Sequence, residues 1–318
     1  MAVPHQRSSR NDKDQHGISK PRPKRSRLVA SGLRRYPGEL QRAILGRSGV
    51  ASSPTPDWRE IEDCTLAAVW LGHASVLLRL GGQWLVVDPV LSDRIGVRVF
   101  GRTIGPERST KPALEASELP PIGTVLITHA HFDHLDVPTL RTLADERTSV
   151  VTATRTESLI PRGFGPICEL GWGEKRALGS LRITALKPSH WGARRSLDRR
   201  RGYNAYVLDD GARRVLIAGD TAMTHAFDDL GPMDLAVFGI GAYDPWEHAH
   251  ATPEQVWRMF TACGARALLP VHHSTFKLSD EPADEPLARL RQAAGEMDRL
   301  LVGCELGELW VADEDASE

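Results

Sequence analysis

The run Thr128-His129-Ala130-His131-Phe132-Asp133-His134-Leu135-Asp136 puts three histidines and an aspartate into six residues of a chain with only twelve histidines in 318. The apolar run Thr124-Val125-Leu126-Ile127 before it reads as a buried strand, and a helical pattern starts at Val137. The nine residues therefore form a turn at a strand end. His129 and His131 share one face at period two. Asp133 and His134 lie on the turn beyond and can reach a second point nearby. Nitrogen and oxygen ligands at this density suit one or two borderline divalent cations.

The chain around this turn reads as a mixed fold. Thr65–Trp70, Ser75–Leu80 and Trp84–Val87 are predicted strands, the last two joined by the Gly81-Gly82 turn. Residues 90–120 read as one long loop carrying Arg94, Arg98, Arg102 and Arg108 beside Val97 and Phe100, and a loop of that length is functional or disordered. Further strands are expected at Val150–Thr152, Leu181–Lys187, Ala205–Leu208, Arg214–Ala218, Asp234–Phe238 and Ala267–Val271. Asp209-Asp210-Gly211 marks a hairpin. Thr252-Pro253-Glu254-Gln255 opens a helix with a capping box, and a second helix is expected over Glu285–Met297. Strands outnumber helices and hairpins mix with crossovers, so the class is α/β or α+β with more than one sheet.

Charge divides the chain. Residues 1–47 hold twelve Lys/Arg against three acids, and the remaining 28 basic and 38 acidic residues leave the body at −10. Residues 1–50 are rich in Arg, Ser and Pro and too poor in apolar side chains to offset the entropy of ordering, so a disordered basic tail is expected before a folded domain over 51–318. Cys64, Cys168, Cys263 and Cys304 lie far apart with no Cys-x-x-Cys, which favours free thiols in a reducing compartment over a zinc ribbon or redox pair. No apolar run approaches the roughly 18–20 residues of a membrane span, and no secretory signal is evident. A cytoplasmic protein is expected, with peripheral membrane contact left open.

Three single residues stand at other strand ends. His190 follows Leu186-Lys187-Pro188-Ser189, Asp220 ends Val215-Leu216-Ile217-Ala218-Gly219, and His272 ends Ala267-Leu268-Leu269-Pro270-Val271. Together they repeat one design, an apolar strand delivering a ligand at its tip, and a carboxylate at Asp220 could bridge two cations.

The order His-x-His-x-Asp-His, then His, then Gly-Asp-Thr, then His resembles the metallo-β-lactamase superfamily. Trp70-Leu71-Gly72-His73-Ala74-Ser75, Asp88-Pro89-Val90-Leu91-Ser92-Asp93-Arg94, His190-Trp191, Tyr243-Asp244-Pro245 and Thr275-Phe276-Lys277-Leu278-Ser279-Asp280-Glu281-Pro282 are similar to its N-acylphosphatidylethanolamine-hydrolysing phospholipase D-like branch. After His272 that branch has an aromatic residue and then glycine, whereas here stand His273 and Ser274. The resemblance implies a four-layer αββα sandwich of two mixed β-sheets with outer helices. It implies one metal on His129, His131 and His190, another on Asp133, His134 and His272, and Asp220 bridging. Asp88 would support the turn without binding metal. Two divalent ions are expected, zinc foremost, with Mn2+ or Fe2+ as alternatives.

Such a pair of cations activates water and polarises a carbonyl or phosphoryl oxygen. Asp133 and Asp220 are the candidate catalytic carboxylates, and His250 and Tyr243 are candidates for touching a departing group or phosphate. His73 is a candidate cleft residue by resemblance. Arg194 and Arg195, with Arg199, Arg200 and Arg201, would offer positive charge to an anionic substrate. The leading expectation is a phosphodiesterase acting on a small or lipid-like anionic substrate. A lactonase or amide hydrolase with the same metals stays open, as does a non-catalytic binder of nucleic acid or membrane through the tail. Only 30 residues separate His190 from Asp220, too few for the extra domain of nucleic-acid-processing relatives, which argues against nucleic acid. Oligomeric state is not legible.

Overall fold

Strand β1 (Leu66–Gly72) accounts for the layered architecture. Leu66, Ala68 and Trp70 enter one apolar cluster, while Ala67, Val69 and Leu71 enter a second on the opposite face. A strand buried on both sides needs a near-continuous apolar run rather than alternation, and this chain repeats such runs. Val215 and Ile217 likewise face the first cluster, and Leu216 and Ala218 a third.

The computed structural model describes Ile61, residues 64–194, Asp198 and residues 200–313. The basic tail, Arg195 and Arg199 lie outside the described residues. The remaining strands are β2 (Ser75–Leu80), β3 (Gln83–Val87), β4 (Val97–Val99), β5 (Arg102–Ile104), β6 (Ile122–Leu126), β7 (Ser149–Ala153), β8 (Ile167–Leu170), β9 (Lys175–Leu178), β10 (Leu181–Leu186), β11 (Ala205–Asp209), β12 (Arg214–Ile217), β13 (Met233–Gly239), β14 (Ala265–Val271) and β15 (Leu309–Val311). The helices are α1 (Val137–Thr142), α2 (Pro253–Cys263) and α3 (Glu285–Ala294).

A seven-stranded sheet runs β15-β1-β2-β3-β6-β7-β8, and a six-stranded sheet runs β14-β13-β12-β11-β10-β9. The first cluster takes side chains from both sheets and fills the space between them. The second packs Leu140 of α1 against the outer face of the first sheet, and the third packs Val256, Phe260 and Leu290 of α2 and α3 against the other. The layers are therefore αββα, as the resemblance implied. β3, β6, β7 and β8 are parallel, as are β12, β13 and β14. Their carboxyl ends open toward one edge of the sandwich, where such sheets place their ligands.

The α2 capping box forms: Gln255 N donates to Thr252 Oγ1, and Thr252 N donates to Gln255 Oε1 at 3.0 Å. Residues 90–120 are more structured than one long loop, because β4 and β5 form a two-stranded ribbon. β8, β9 and β15 are short and partly exposed, so their apolar signal is weak in sequence. The last helix stops at Ala294, three residues before its expected end, and continues as a 3-10 segment. Among the described residues no helix is long and apolar enough to cross a membrane.

Candidate metal centre

The carboxyl ends of the central strands deliver the polar residues. His129, His131, Asp133 and His134 follow β6, Asp88 follows β3, and His73 sits in the β1–β2 turn. His190, Asp220, His250 and His272 come from the other sheet, following β10, β12, β13 and β14. Potential ligand atoms gather in three overlapping sets: His129, His131, His190 and Asp220; His73, Asp133, His134 and His272; and Asp220, His250 and His272. Asp220 is common to the first and third. Its Oδ2 stands 3.7 Å from His129 Nε2, 3.6 Å from His190 Nε2, 3.2 Å from His134 Nε2 and 3.9 Å from His250 Nδ1. Its Oδ1 stands 3.4 Å from His272 Nε2. The carboxylate thus lies between the two expected ligand sets.

Hydrogen bonds fix which imidazole nitrogen is available. Asp88 accepts from Thr128 N at 2.7 Å and from Thr128 Oγ1 at 2.6 Å. Since the Thr128 proton goes to Asp88, His129 Nδ1 donates to Thr128 Oγ1 at 2.9 Å and its Nε2 is left as the lone pair. His134 Nδ1 donates to Asp88 Oδ2 at 2.8 Å. His190 Nδ1 donates to the Ala249 carbonyl at 3.1 Å. In all three rings Nε2 faces the cluster, the arrangement that orients metal-binding histidines. His131 turns its Nδ1 inward, 2.8 Å from His129 Nε2 and 3.4 Å from His190 Nε2.

This donor set fits divalent cations. His134 Nε2, His272 Nε2 and Asp220 Oδ2 are buried and have no hydrogen-bond partner, and they face one another. Burial, aided by neighbouring histidines, pushes His129 and His190 well below the ordinary imidazole range and lowers His131 too, so these rings stay neutral with lone pairs available. Burial works against ionised Asp133 and Asp220, yet the adjacent histidines, His134 foremost, hold both carboxyls well below the usual range. Burial also disfavours charged His134 and His272, but the nearby carboxylates, led by Asp220, raise both. The neutral inward nitrogens of His129, His131 and His190 beside ionised Asp133 and Asp220 make a donor set of imidazole and carboxylate suited to zinc, manganese or iron.

The backbone is strained here. His73, Asp88 and His272 have φ of +52°, +41° and +63°. Such conformations cost about 1 kcal/mol or more each and cluster where aim matters more than comfort. Gly219, before Asp220, has φ +60°, and a Cβ there would stand 3.2 Å from Thr128.

Several expected substrate contacts are placed differently. His73 is buried beneath the cluster. Its Nε2 lies 3.1 Å from Asp133 Oδ2 and its ring 4.1 Å from His272, so it orients Asp133, and it lines, with His272 and Phe276, a cavity of about 340 Å3 beside the cluster. Tyr243 is not brought to the cluster: its hydroxyl donates to Glu285 at 2.8 Å and its ring lies under Arg289. Arg194 Nη1 donates to the Ala130 and Leu135 carbonyls, both at 2.9 Å, and its guanidinium covers Phe132. It braces the ligand loop. Arg200 and Arg201 line a separate cavity of about 1010 Å3 beside Arg155 and Arg162, none of whose lining residues belongs to the cluster. His250 does join, edge-on to His190 at 5.1 Å.

Sequence reasoning missed two supports. Trp191, exposed, stacks on His190 at 4.4 Å and reaches His131; its adjacency to a ligand was the available signal. His273 stacks on Trp70 at 4.6 Å, and Trp70 Nε1 donates to the His73 carbonyl, linking the core to the site.

The sequence profile of the beta-lactamase superfamily domain matches residues 83–273, more than half of the chain. An uncharacterized protein of Mycobacterium tuberculosis is 32% identical over 248 residues, covering 72% of this chain and 64% of that protein, so the match spans less than two thirds of its length. An N-acyl-phosphatidylethanolamine-hydrolyzing phospholipase D of Caenorhabditis elegans is 28% identical, covering 78% of this chain and 76% of that protein. A metallo hydrolase of Ignicoccus hospitalis shares the fold at a TM-score of 0.59 and 16% identity, covering 78% of this chain and 99% of that one.

Proposed function

We propose, for a chain that belongs to the beta-lactamase superfamily, that this metal-dependent hydrolase uses two divalent cations, zinc foremost, to hydrolyse an anionic, lipid-like phosphodiester. The observation that carries the dinuclear reading is Asp220, within 4 Å of His129 and His190 of one ligand set and of His134 and His272 of the other. His129, His131 and His190 would hold one cation, Asp133, His134 and His272 the other, and Asp220 both. Bound there, the pair supplies Lewis acidity toward a phosphoryl oxygen and acidifies water.

The chain's own residues supply the rest. Asp133, steadied by His73, accepts a proton from the attacking water at its carboxylate. His250, with Nδ1 3.9 Å from Asp220 Oδ2, would face the departing oxygen. Trp191 covers His190 and limits water at the rim. The phosphodiester preference is supported by the phospholipase D relative. A cavity of about 250 Å3 beside the ligand loop supports it too, mixing Arg98 and Arg141 with Val97, Phe132 and Val137.

The test uses the full chain loaded with zinc, freed of excess metal and analysed for metal content. Two equivalents per chain and faster turnover of bis(p-nitrophenyl) phosphate than of a neutral lactone are expected. A maximum of one equivalent removes the dinuclear reading. A lactone turned over much faster than the diester replaces phosphodiester with carbonyl chemistry.

A further inference from the structure

The ribbon β4–β5 spends stability on an exposed apolar tip. Val99 pairs with Arg102, so the turn between them is Phe100-Gly101, and both have positive φ, +48° and +79°. A two-residue turn of this kind favours Asn-Gly, and a bulky aromatic side chain at such a φ is a steric outlier. Nothing in the fold repays the choice, because Phe100 is fully exposed. Val97, Val99 and Ile104 are exposed as well. Among the described residues, four of the eight exposed large apolar side chains therefore lie in this one ribbon.

Charge identifies what the tip meets. Between residues 94 and 107 stand Arg94, Arg98 and Arg102 and a single acid, Glu107, which Arg94 takes at 2.5 Å. Arg98 and Arg102 are exposed directly behind Phe100. The acidic body thus projects an apolar point collared by positive charge. A second copy docking ribbon to ribbon would bring these arginines together. A bilayer with anionic headgroups instead accepts the phenyl ring among its acyl chains while the guanidinium groups stay at phosphate level. The base of the ribbon lines the same 250 Å3 cavity as Phe132 and Arg194, the neighbours of the ligand loop. The base of the ribbon therefore adjoins the loop that carries His131 and Asp133.

We propose that the Val97–Ile104 ribbon is an interfacial anchor that docks this protein on an anionic lipid bilayer. Its purpose rests on the lipid-like substrate proposed above, but docking is measured without turnover, so the two readings fail separately. The decisive variant is Phe100→Asn, which improves the turn while removing the apolar tip. The probe is sedimentation of the full chain with phosphatidylcholine vesicles containing phosphatidylglycerol, where the basic tail contributes equally to every variant. Phe100→Asn is expected to bind at least about tenfold more weakly, the scale of one buried aromatic side chain, while its thermal midpoint holds or rises. Arg98→Gln and Arg102→Gln should each weaken binding about fivefold at low salt, and pure phosphatidylcholine should bind all forms poorly. Vesicle binding that is unchanged in Phe100→Asn would overturn the proposal. So would a wild-type dimer in gel filtration that Phe100→Asn converts to monomer with no change on vesicles, which would give the ribbon to a second copy of the chain.

Discussion

Asp220 and Asp88 are both buried carboxylates within reach of His134, yet they act at different distances from the centre. Asp220 offers its oxygens to nitrogens of both ligand sets, whereas Asp88 is saturated by Thr128 and by His134 Nδ1 and offers nothing inward. Their substitutions should therefore fail differently. Asp220→Ala removes a ligand shared by two cations, so turnover should fall more than about a hundredfold, beyond the 10–100-fold typical of an outer support, and excess zinc should not restore it. Asp88→Asn should weaken metal affinity within that 10–100-fold range, and saturating zinc should recover most of the turnover. Isothermal titration with zinc and rate measurement across a zinc series separate the two. Rescue of Asp220→Ala by zinc would remove the shared-ligand role.

Helices α2 and α3 are joined by a charged clasp that sequence periodicity did not announce. Arg289 donates to both oxygens of Glu254, each at 2.8 Å, and to Glu285 at 2.9 Å, which also receives the Tyr243 hydroxyl. Hydrogen bonds from Arg289 hold the Glu254 carboxyl at about 2, down from 4.5. A depressed folded value means that the stabilisation is full above about 4.5 and disappears as pH falls through about 2. The pair is partly exposed, so after solvent screening it contributes about 1 kcal/mol or less. Arg289→Met should lose that amount at neutral pH in urea unfolding, and the gap to wild type should narrow as pH falls from 4.5 toward 2. A constant gap would assign the loss to packing on Tyr243. This element also marks what sequence could convey. Long doubly buried strands and the ligand turn were legible because burial forces apolar runs and metal chemistry forces histidine spacing. Tyr243 and Arg194 were misjudged because their partners, Glu285 and the Ala130 and Leu135 carbonyls, are 42, 64 and 59 residues away. Short strands such as β15 depend on pairing with distant β1 rather than on their own composition.

At the scale of the whole molecule the cluster is a joint between the two halves of the sandwich. His129, His131, Asp133 and His134 belong to the first sheet's edge, and His190, Asp220, His250 and His272 to the second. Elsewhere the sheets meet through the apolar core and a few neutral or surface hydrogen bonds such as Tyr206 to the Ile127 carbonyl, but here His131 Nδ1 and His190 Nε2 stand 3.4 Å apart and partnerless buried atoms of His134 and Asp220 face each other across the seam. Cations held from both sides would make the seam attractive. By mass action, binding at a thousand times the dissociation constant adds about 4 kcal/mol, and for a domain of this size each kcal/mol moves the thermal midpoint by roughly 2–4 °C. Stripping the metal with a chelator, with removal verified by elemental analysis, should therefore lower the midpoint by roughly 10 °C. Hydrogen exchange should accelerate first in residues 128–136, 187–194 and 272–275, which carry ligands from both sheets, while β1, β2 and β13 stay protected. Readdition of zinc should reverse both changes. A midpoint that does not move when verified metal is removed would mean that the seam is held by its apolar core alone and that the cations act only in chemistry.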